Sequence, residues 1–377
     1  PVLRPRRRKR RFSLPICMGL AALLISLVAI SAVMESLWPV QLLPSDDGDY
    51  SYHQDYDQEE LDTTPPSIPR AATGAGVTVE LRLDTGETLT YTQIYDKNLP
   101  SMVSIQAEDA KSYSTGTGVV LTSDGYIITN AHVVAGADKV QVVCSDNRVL
   151  DAALVGFDAN EDLAGLKVEA TDLTPAEFGD SFALRCGDPV AAIGGPLGYR
   201  STITDGIVSA LDRDVDVDGV SMVLIQTSAA INMGNSGGAL INQYGQVVGI
   251  TTVKIVPADG SAEALGFAIP SRRVKYVADT LIAGKTVRRG IFGFTVLTRP
   301  AQGGGLTLDS VDKASDAYAQ GLRAGDVLIA ANGQSLNAVE DLVRLKQSLG
   351  AGDAVSLTYV RDGQSYTASV ALIDPDD

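Results

Sequence analysis

Ile225-Gln226-Thr227-Ser228-Ala229-Ala230-Ile231-Asn232-Met233-Gly234-Asn235-Ser236-Gly237-Gly238-Ala239 sets one serine on a glycine-framed loop between two apolar runs. Glycine opens backbone conformations closed to other residues, so the amides of Gly234 and Ser236 are able to turn toward one point as an oxyanion hole beside a Ser236 nucleophile. Taken by itself, the loop also reads as a plain Gly/Asn/Ser hairpin turn.

A serine nucleophile needs a base, and the chain holds 2 histidines, His53 and His132. His53 lies in an acidic, Tyr-rich stretch between Asp46 and Asp62 that is not expected to fold. His132 follows Gly125-Tyr126-Ile127-Ile128-Thr129-Asn130-Ala131, where a β-branched strand runs into a small-residue turn, a place to hold an imidazole at a cleft edge. The third member is expected to be a buried carboxylate that accepts the other imidazole N–H. Asp162, which opens Asp162-Leu163-Ala164-Gly165-Leu166-Lys167-Val168, is the expected residue. Asp158 and Glu161 are the nearby rivals for this role, and each reads more naturally as a solvated turn residue. The order His, Asp, Ser, with gaps of 30 and 74 residues, is the one found on chymotrypsin-type double barrels.

On these blocks the chain resembles the HtrA (DegP-like) serine proteases over roughly residues 90 to 374. The carrying segments are Thr115-Gly116-Thr117-Gly118-Val119-Val120, Asp124 to Val134, Asp162 to Val168, Gln226 to Gly238 and Leu265-Gly266-Phe267-Ala268-Ile269-Pro270. The chain departs from the family pattern at four places. Ser228 stands where an acid is usual, Met233 and Ala239 where prolines are usual, and Gly165 where a larger aliphatic residue is usual. Loss of two prolines is expected to loosen the nucleophile loop. The resemblance implies a homotrimer or larger assembly, PDZ-modulated activity and unfolded proteins as substrates.

Charge is uneven along the 377 residues: Lys and Arg total seven in residues 1–11 with no acid, leaving 23 basic and 46 acidic residues in the remainder. An acidic body argues against nucleic acid as a partner, because phosphate binding needs clustered cations on the folded surface. Phe12 to Met34 carry no charge. As a helix this run measures about 34 Å, enough to cross a hydrocarbon core of roughly 30 Å. The reading is therefore a basic cytoplasmic tail (1–11) and a transmembrane signal anchor (12–34) with the N-terminus inside. A cleaved signal peptide is the alternative. Residues 35–76, acidic and then Pro-rich, read as a disordered tether holding the folded part at the outer face of a bacterial-type membrane.

From Val77, whose alternation to Leu83 predicts a strand, short runs recur behind Gly, Asp and Asn turns to about Pro270. The fold class is mainly β, a chymotrypsin-like double β-barrel protease domain (77–284) with a closing helix over Ser271 to Ile282. Residues 288–374 form a second unit. Arg289-Gly290-Ile291-Phe292-Gly293-Phe294 and Gly321 to Gly333 resemble a PDZ domain of the HtrA type. Backbone amides around Ile291, Phe292, Gly293 and Phe294 would cradle a terminal carboxylate while the adjoining strand accepts an extended peptide. A helix over Val339 to Leu349 would flank that groove. Cys144 and Cys186 either pair or stand isolated, and Cys17 lies in the apolar run. No cofactor and no metal site is indicated.

The reaction expected is acyl transfer to Ser236, with His132 as base and Asp162 steadying the imidazolium. Ala230, six residues before Ser236, leaves a cationic substrate side chain without a partner and predicts a preference for small or medium aliphatic residues. The competing reading is a proteolytically inert, membrane-tethered chaperone or peptide sensor built on the same scaffold.

Overall fold

The computed structural model describes residues 63–375 apart from 75, 84–85, 111, 196–200, 218–219, 233, 253–265, 300 and 302–303. The basic tail, the apolar run 12–34, His53, Met233 and Leu265 lie outside the described residues. Among the described residues no helix is long and apolar enough to cross a membrane.

A two-residue strand β1 (Leu81–Arg82) and helix α1 (Tyr91–Asn98) precede the first barrel. That barrel is built from β2 (Met102–Glu108), β3 (Tyr113–Val120), β4 (Tyr126–Thr129), β5 (Lys139–Val143), β6 (Val149–Asp158) and β7 (Leu163–Val168), closed in the order β2-β3-β4-β7-β6-β5. A single helical turn, α2 (Ala131–Val134), leaves β4. The second sheet holds β8 (Phe178–Gly179), β9 (Pro189–Gly194), β10 (Thr202–Val217), β11 (Val220–Thr227), β12 (Ala239–Asn242), β13 (Val247–Thr252) and β14 (Gly266–Pro270). Its order is β1-β8-β13-β12-β9-β10-β11-β14, and the added β13–β14 pairing closes six of these strands into a ring.

Alternating side chains fill each ring. Ile105, Ile127, Val142 and Leu154 pack inside the first, and Val190, Ala192, Leu240 and Val248 inside the second. Ile128, Leu163, Ile193 and Ile250 point the other way and join a third core between the barrels, which helix α3 (Ser271–Ile282) caps with Val274, Val277 and Leu281. Each such fully buried aliphatic side chain stabilises the fold by about 1.5–3 kcal/mol before entropy is counted. β4 and β7 therefore have both faces covered, which is why Tyr126–Thr129 and Leu163–Val168 read as continuous apolar runs.

Two expectations need correction here. The strand expected over Val77 to Leu83 shrinks to Leu81–Arg82, because the Val79 backbone is occupied by α3: Val79 N–H donates to Asp279 and Lys275 donates to Val79 O. The tether expected as far as residue 76 also ends earlier. Gly136 N–H donates to Thr64 O, Ser67 N–H to Ala137 O and Leu154 N–H to Pro69 O, and Ile68 is buried in the first barrel's core.

The C-terminal unit is a six-stranded sheet of β15 (Phe294–Val296), β16 (Leu306–Val311), β17 (Val327–Ala331), β18 (Gln334–Ser335), β19 (Ala354–Arg361) and β20 (Gln364–Ala371). Helices α4 (Asp316–Ala319) and α5 (Val339–Lys346) pack on it. Cys144 is buried and Cys186 exposed, and both are free thiols, so they do not pair.

Candidate active site

β4 delivers the chain to Asn130, and the turn of helix that follows buries Val133 and Val134 while leaving His132 at the surface of the cleft. Its side chain is 27% exposed, against 1% for Asp162. His132 Nδ1 lies 2.8 Å from Asp162 Oδ1 and 3.0 Å from Oδ2, and the His132 amide also donates to Oδ1 at 3.2 Å. Thr252, at the end of β13, donates to Asp162 Oδ2 at 3.1 Å, and Asn130 Nδ2 donates to the Asp162 carbonyl at 2.9 Å. Asp162 adopts a left-handed backbone conformation, φ 50°, which aspartate tolerates better than most non-glycine residues. A carboxylate buried this fully, with Nδ1 as its donor, fixes the tautomer that leaves Nε2 able to accept a proton.

Ser236 is 6% exposed and sits on the opposite barrel. Its carbonyl accepts from Thr117 N–H at 2.8 Å, which ties the loop to β3 of the histidine-bearing barrel. Glycine is required at Gly116 and Gly237, where an added Cβ would collide with Val133 and with the Thr117 carbonyl. Gly234 has φ 94°, the positive value a tight turn assigns to its third residue, and Asn235 N–H closes that turn on Asn232 O at 2.9 Å. Gly237 N–H donates to Thr251 O and Gly238 N–H to Asn235 O. Among the described residues the Gly234 and Ser236 amides alone, of the run 234–238, have no acceptor. No hydrogen bond joins His132 to the Ser236 hydroxyl among the described residues. No group of three or more His, Cys, Asp or Glu is placed to hold a metal ion among them.

Comparison with known proteins matches both domains of the fold. A trypsin-like peptidase domain model matches residues 116–250, and a PDZ domain model matches residues 289–372. The chain is 40% identical over 270 residues to a probable periplasmic serine protease do/HhoA-like of Haemophilus influenzae, covering 68% of this chain and 58% of that protein. It is 37% identical over 317 residues to the serine protease Do-like HtrA of Lactococcus lactis, covering 77% of each. The chain belongs to the HtrA family of serine proteases. Solved HtrA structures carry the same fold: HtrA-type protease AlgW with tripeptide superposes with TM-score 0.60 at 31% identity, covering 76% of this chain and 99% of that one. The matched region spans less than two thirds of the Haemophilus protein and, at 60%, of a DegP-like relative from Halomonas elongata.

In this HtrA chain the PDZ segment resolves into two roles. Ile291 pairs with Ile373, its amide donating to the Ile373 carbonyl at 2.9 Å. Phe292 is buried in the PDZ core and stacks on Phe294 with ring centroids 5.2 Å apart, so it is a core residue rather than an exposed apolar lure. Gly293, φ 71°, lets the chain turn past Ser315, which an added Cβ would strike. β15 lies at the edge of the sheet and borders an open groove of about 740 Å³ lined by Ile291, Phe292, Gly293, Phe294, Val311 and Lys346, among others.

Glu161 is the site residue that sequence reasoning placed wrongly. It is buried, not solvated: its carboxylate accepts from Arg273 Nε and Nη2 at 2.7 and 2.6 Å and from Arg289 Nε at 2.8 Å. Burial by itself pushes this carboxyl up. The hydrogen bonds and charge of Arg273, joined by Arg289, outweigh burial and hold it below the usual carboxylate range. Asp158 accepts the Glu161 N–H at 2.9 Å, and its carboxyl is pushed up, chiefly by burial and also by the Glu161 charge. A second tie joins the domains where Arg344 and Gln347, at the end of α5, donate to Asp212 of β10 at 2.6 and 3.0 Å.

Proposed function

We propose that this HtrA chain is an extracytoplasmic serine endopeptidase that works by a His132-Asp162-Ser236 triad. The observation that carries the reading is the grip of the buried Asp162 carboxylate on His132 Nδ1. In that arrangement Nε2 takes the Ser236 proton as the hydroxyl attacks a peptide carbonyl, and Asp162 stabilises the imidazolium. The amides of Gly234 and Ser236, which have no acceptor among the described residues, hold the oxyanion. The imidazolium then protonates the leaving amine, and water, deprotonated by His132, hydrolyses the acyl-enzyme. The Ser236 hydroxyl turns to Nε2 when substrate enters, as apo sites commonly tighten on binding.

The PDZ groove supports capture of an extended C-terminal peptide as an added strand on β15, with amides of the Phe292-Gly293-Phe294 turn facing its carboxylate. Unfolded proteins with small or medium aliphatic residues before the cut are the proposed substrates. The uncharged run 12–34 is the proposed single-pass anchor, in keeping with relatives named as periplasmic proteases, and a homotrimer or larger homo-oligomer is the proposed assembly. A fluorophosphonate probe tests the nucleophile: Ser236 should be labelled in the wild type, and Ser236→Ala should lose labelling and about 10⁶ in turnover. Casein degradation by Ser236→Ala near the wild-type rate would end the reading of Ser236 as nucleophile, whereas a wild type that neither labels nor degrades casein would leave the inert peptide sensor in its place.

A further inference from the structure

Thr117 makes a set of contacts that no triad role accounts for. It lies on β3, in the histidine-bearing barrel, and is 1% exposed. Its Oγ1 donates to Gly234 O at 2.7 Å and at the same time accepts from Gly195 N–H at 2.8 Å. Its own N–H donates to Ser236 O, and its carbonyl accepts from Thr129 Oγ1 at 2.6 Å. One residue on one barrel, through its hydroxyl and its amide, thus fixes backbone on both sides of Asn235 on the other.

We infer that Thr117 is a positioning residue for the oxyanion hole, acting through the orientation of the peptide planes around Ser236. This inference rests on Ser236 being the nucleophile. A peptide plane has one rotational choice, since its C=O and N–H point oppositely. Thr117 Oγ1 fixes the Gly234–Asn235 plane by its carbonyl, and Asn235 N–H is fixed at the other side by Asn232 O. The next plane is fixed from β13, where Thr251 Oγ1 donates to Asn235 O at 2.6 Å, so the Ser236 N–H on that plane faces away from Thr251. The first plane lies between the planes that carry the Gly234 and Ser236 amides, so its rotation, through Gly234 ψ and Asn235 φ, changes the direction of one amide relative to the other.

The hydroxyl is the functional part of the side chain. A group that both donates to Gly234 O and accepts from Gly195 N–H must be a hydroxyl at this size; valine has the same shape and does neither. Anchoring from Thr117 and Thr251 also bears on the missing prolines. Ala239, in one proline position, is already held in β12 between Ile193 and Ile250. The loop is stiffened by threonine hydroxyls from both sides.

Full-length Thr117→Val, Thr117→Ala and Thr117→Ser are compared with Ser236→Ala on a peptide substrate and on a peptide boronate, whose tetrahedral adduct needs the oxyanion amides. Thr117→Val should lose roughly 10- to 100-fold in kcat with KM within about twofold, and should bind the boronate correspondingly more weakly. Thr117→Ser should restore kcat to within about threefold of wild type. A purely structural threonine would instead lower the melting temperature and the active fraction, leaving kcat per labelled site and boronate affinity unchanged, and that result overturns the inference. If Thr117→Val does not fold, the Ser and Ala variants decide: both lose the methyl group, and equal kcat in the two removes any role for the hydroxyl. Retained turnover in Ser236→Ala would reject the triad itself, whereas an inactive Ser236→Ala beside a fully active Thr117→Val rejects only the role given to Thr117.

Discussion

Arg289 Nε lies 2.8 Å from Glu161 Oε1, and Glu161 is the residue immediately before Asp162. Arg289 in turn stands three residues before Phe292 at the PDZ groove. The segment proposed to hold a peptide carboxylate and the aspartate that holds His132 are therefore joined by one buried carboxylate and two short stretches of chain. Arg273 from α3 completes the cluster, with Nη1 donating to Leu349 O of the PDZ domain at 3.2 Å.

Breaking that cluster should be expensive. With side-chain exposures of 6% for Glu161 and 13% for Arg273, Glu161→Gln leaves two guanidinium groups short of their anion. Loss of one partner of a buried pair costs about 3–5 kcal/mol. Calorimetry at pH 7 should show a fall of that order, and an unchanged melting temperature would contradict the burial and pairing described. The pH dependence follows from the depressed folded pKa. The wild-type contribution is full above the unfolded glutamate value of about 4.3 and is lost as pH falls through the lower folded value. Below about pH 4 the gap between wild type and Glu161→Gln should therefore narrow.

Asp158 should behave in the opposite way. Its folded pKa is raised, so its ionised form is the one the fold disfavours, and its contribution is favourable only below the unfolded value and lost as pH rises through the folded one. Asp158→Asn keeps an oxygen to accept the Glu161 N–H and removes the charge. The variant should melt higher than wild type at pH 7, with the advantage shrinking on acidification. A lower melting point at pH 7 would show that Arg273 and Arg289 need the Asp158 charge.

Asp162→Asn should preserve the fold while reversing the polarity of the contact with His132 Nδ1. An amide nitrogen facing Nδ1 favours the tautomer that protonates Nε2, where the base must accept. On the scale of such substitutions turnover falls by about 10⁴ with little change in KM. Stopped assays at saturating substrate measure this, and a loss under tenfold would remove Asp162 from the triad.

Much of this arrangement is readable from sequence where the signal is local. The apolar spacing of Val274, Val277, Ala278 and Leu281 bounds α3 at Ser271–Ile282, and the run at Leu163 to Val168 matches β7. Helix α1 carries a local signal too, a Thr90 and Gln93 capping box, beside a weak amphipathic pattern. Glu161 is different in kind. Its arginine partners lie 112 and 128 residues along the chain, so its local Asp-Ala-Asn-Glu context has every mark of a solvated turn. The Thr117 hydroxyl is hidden for the same reason, since its acceptor Gly234 is 117 residues away.

Gly293 offers a test of the PDZ groove that leaves the protease site untouched. Its φ of 71° is costly for any residue with a Cβ, and that Cβ would strike Ser315, which caps α4 through its Oγ. Gly293→Ala must therefore either move the turn or displace Ser315. Both outcomes shift the amides of Gly293 and Phe294 relative to the edge strand β15. Titration of a fluorescent peptide ending in a hydrophobic residue should show at least about tenfold weaker binding, since a misplaced charge-assisted contact is worth about 1.5–3 kcal/mol. A C-terminal amide on the same peptide should weaken wild-type binding to a similar degree and leave Gly293→Ala almost unaffected. Equal affinity of the acid and amide peptides for the wild type would move the carboxylate site away from Ile291 to Phe294.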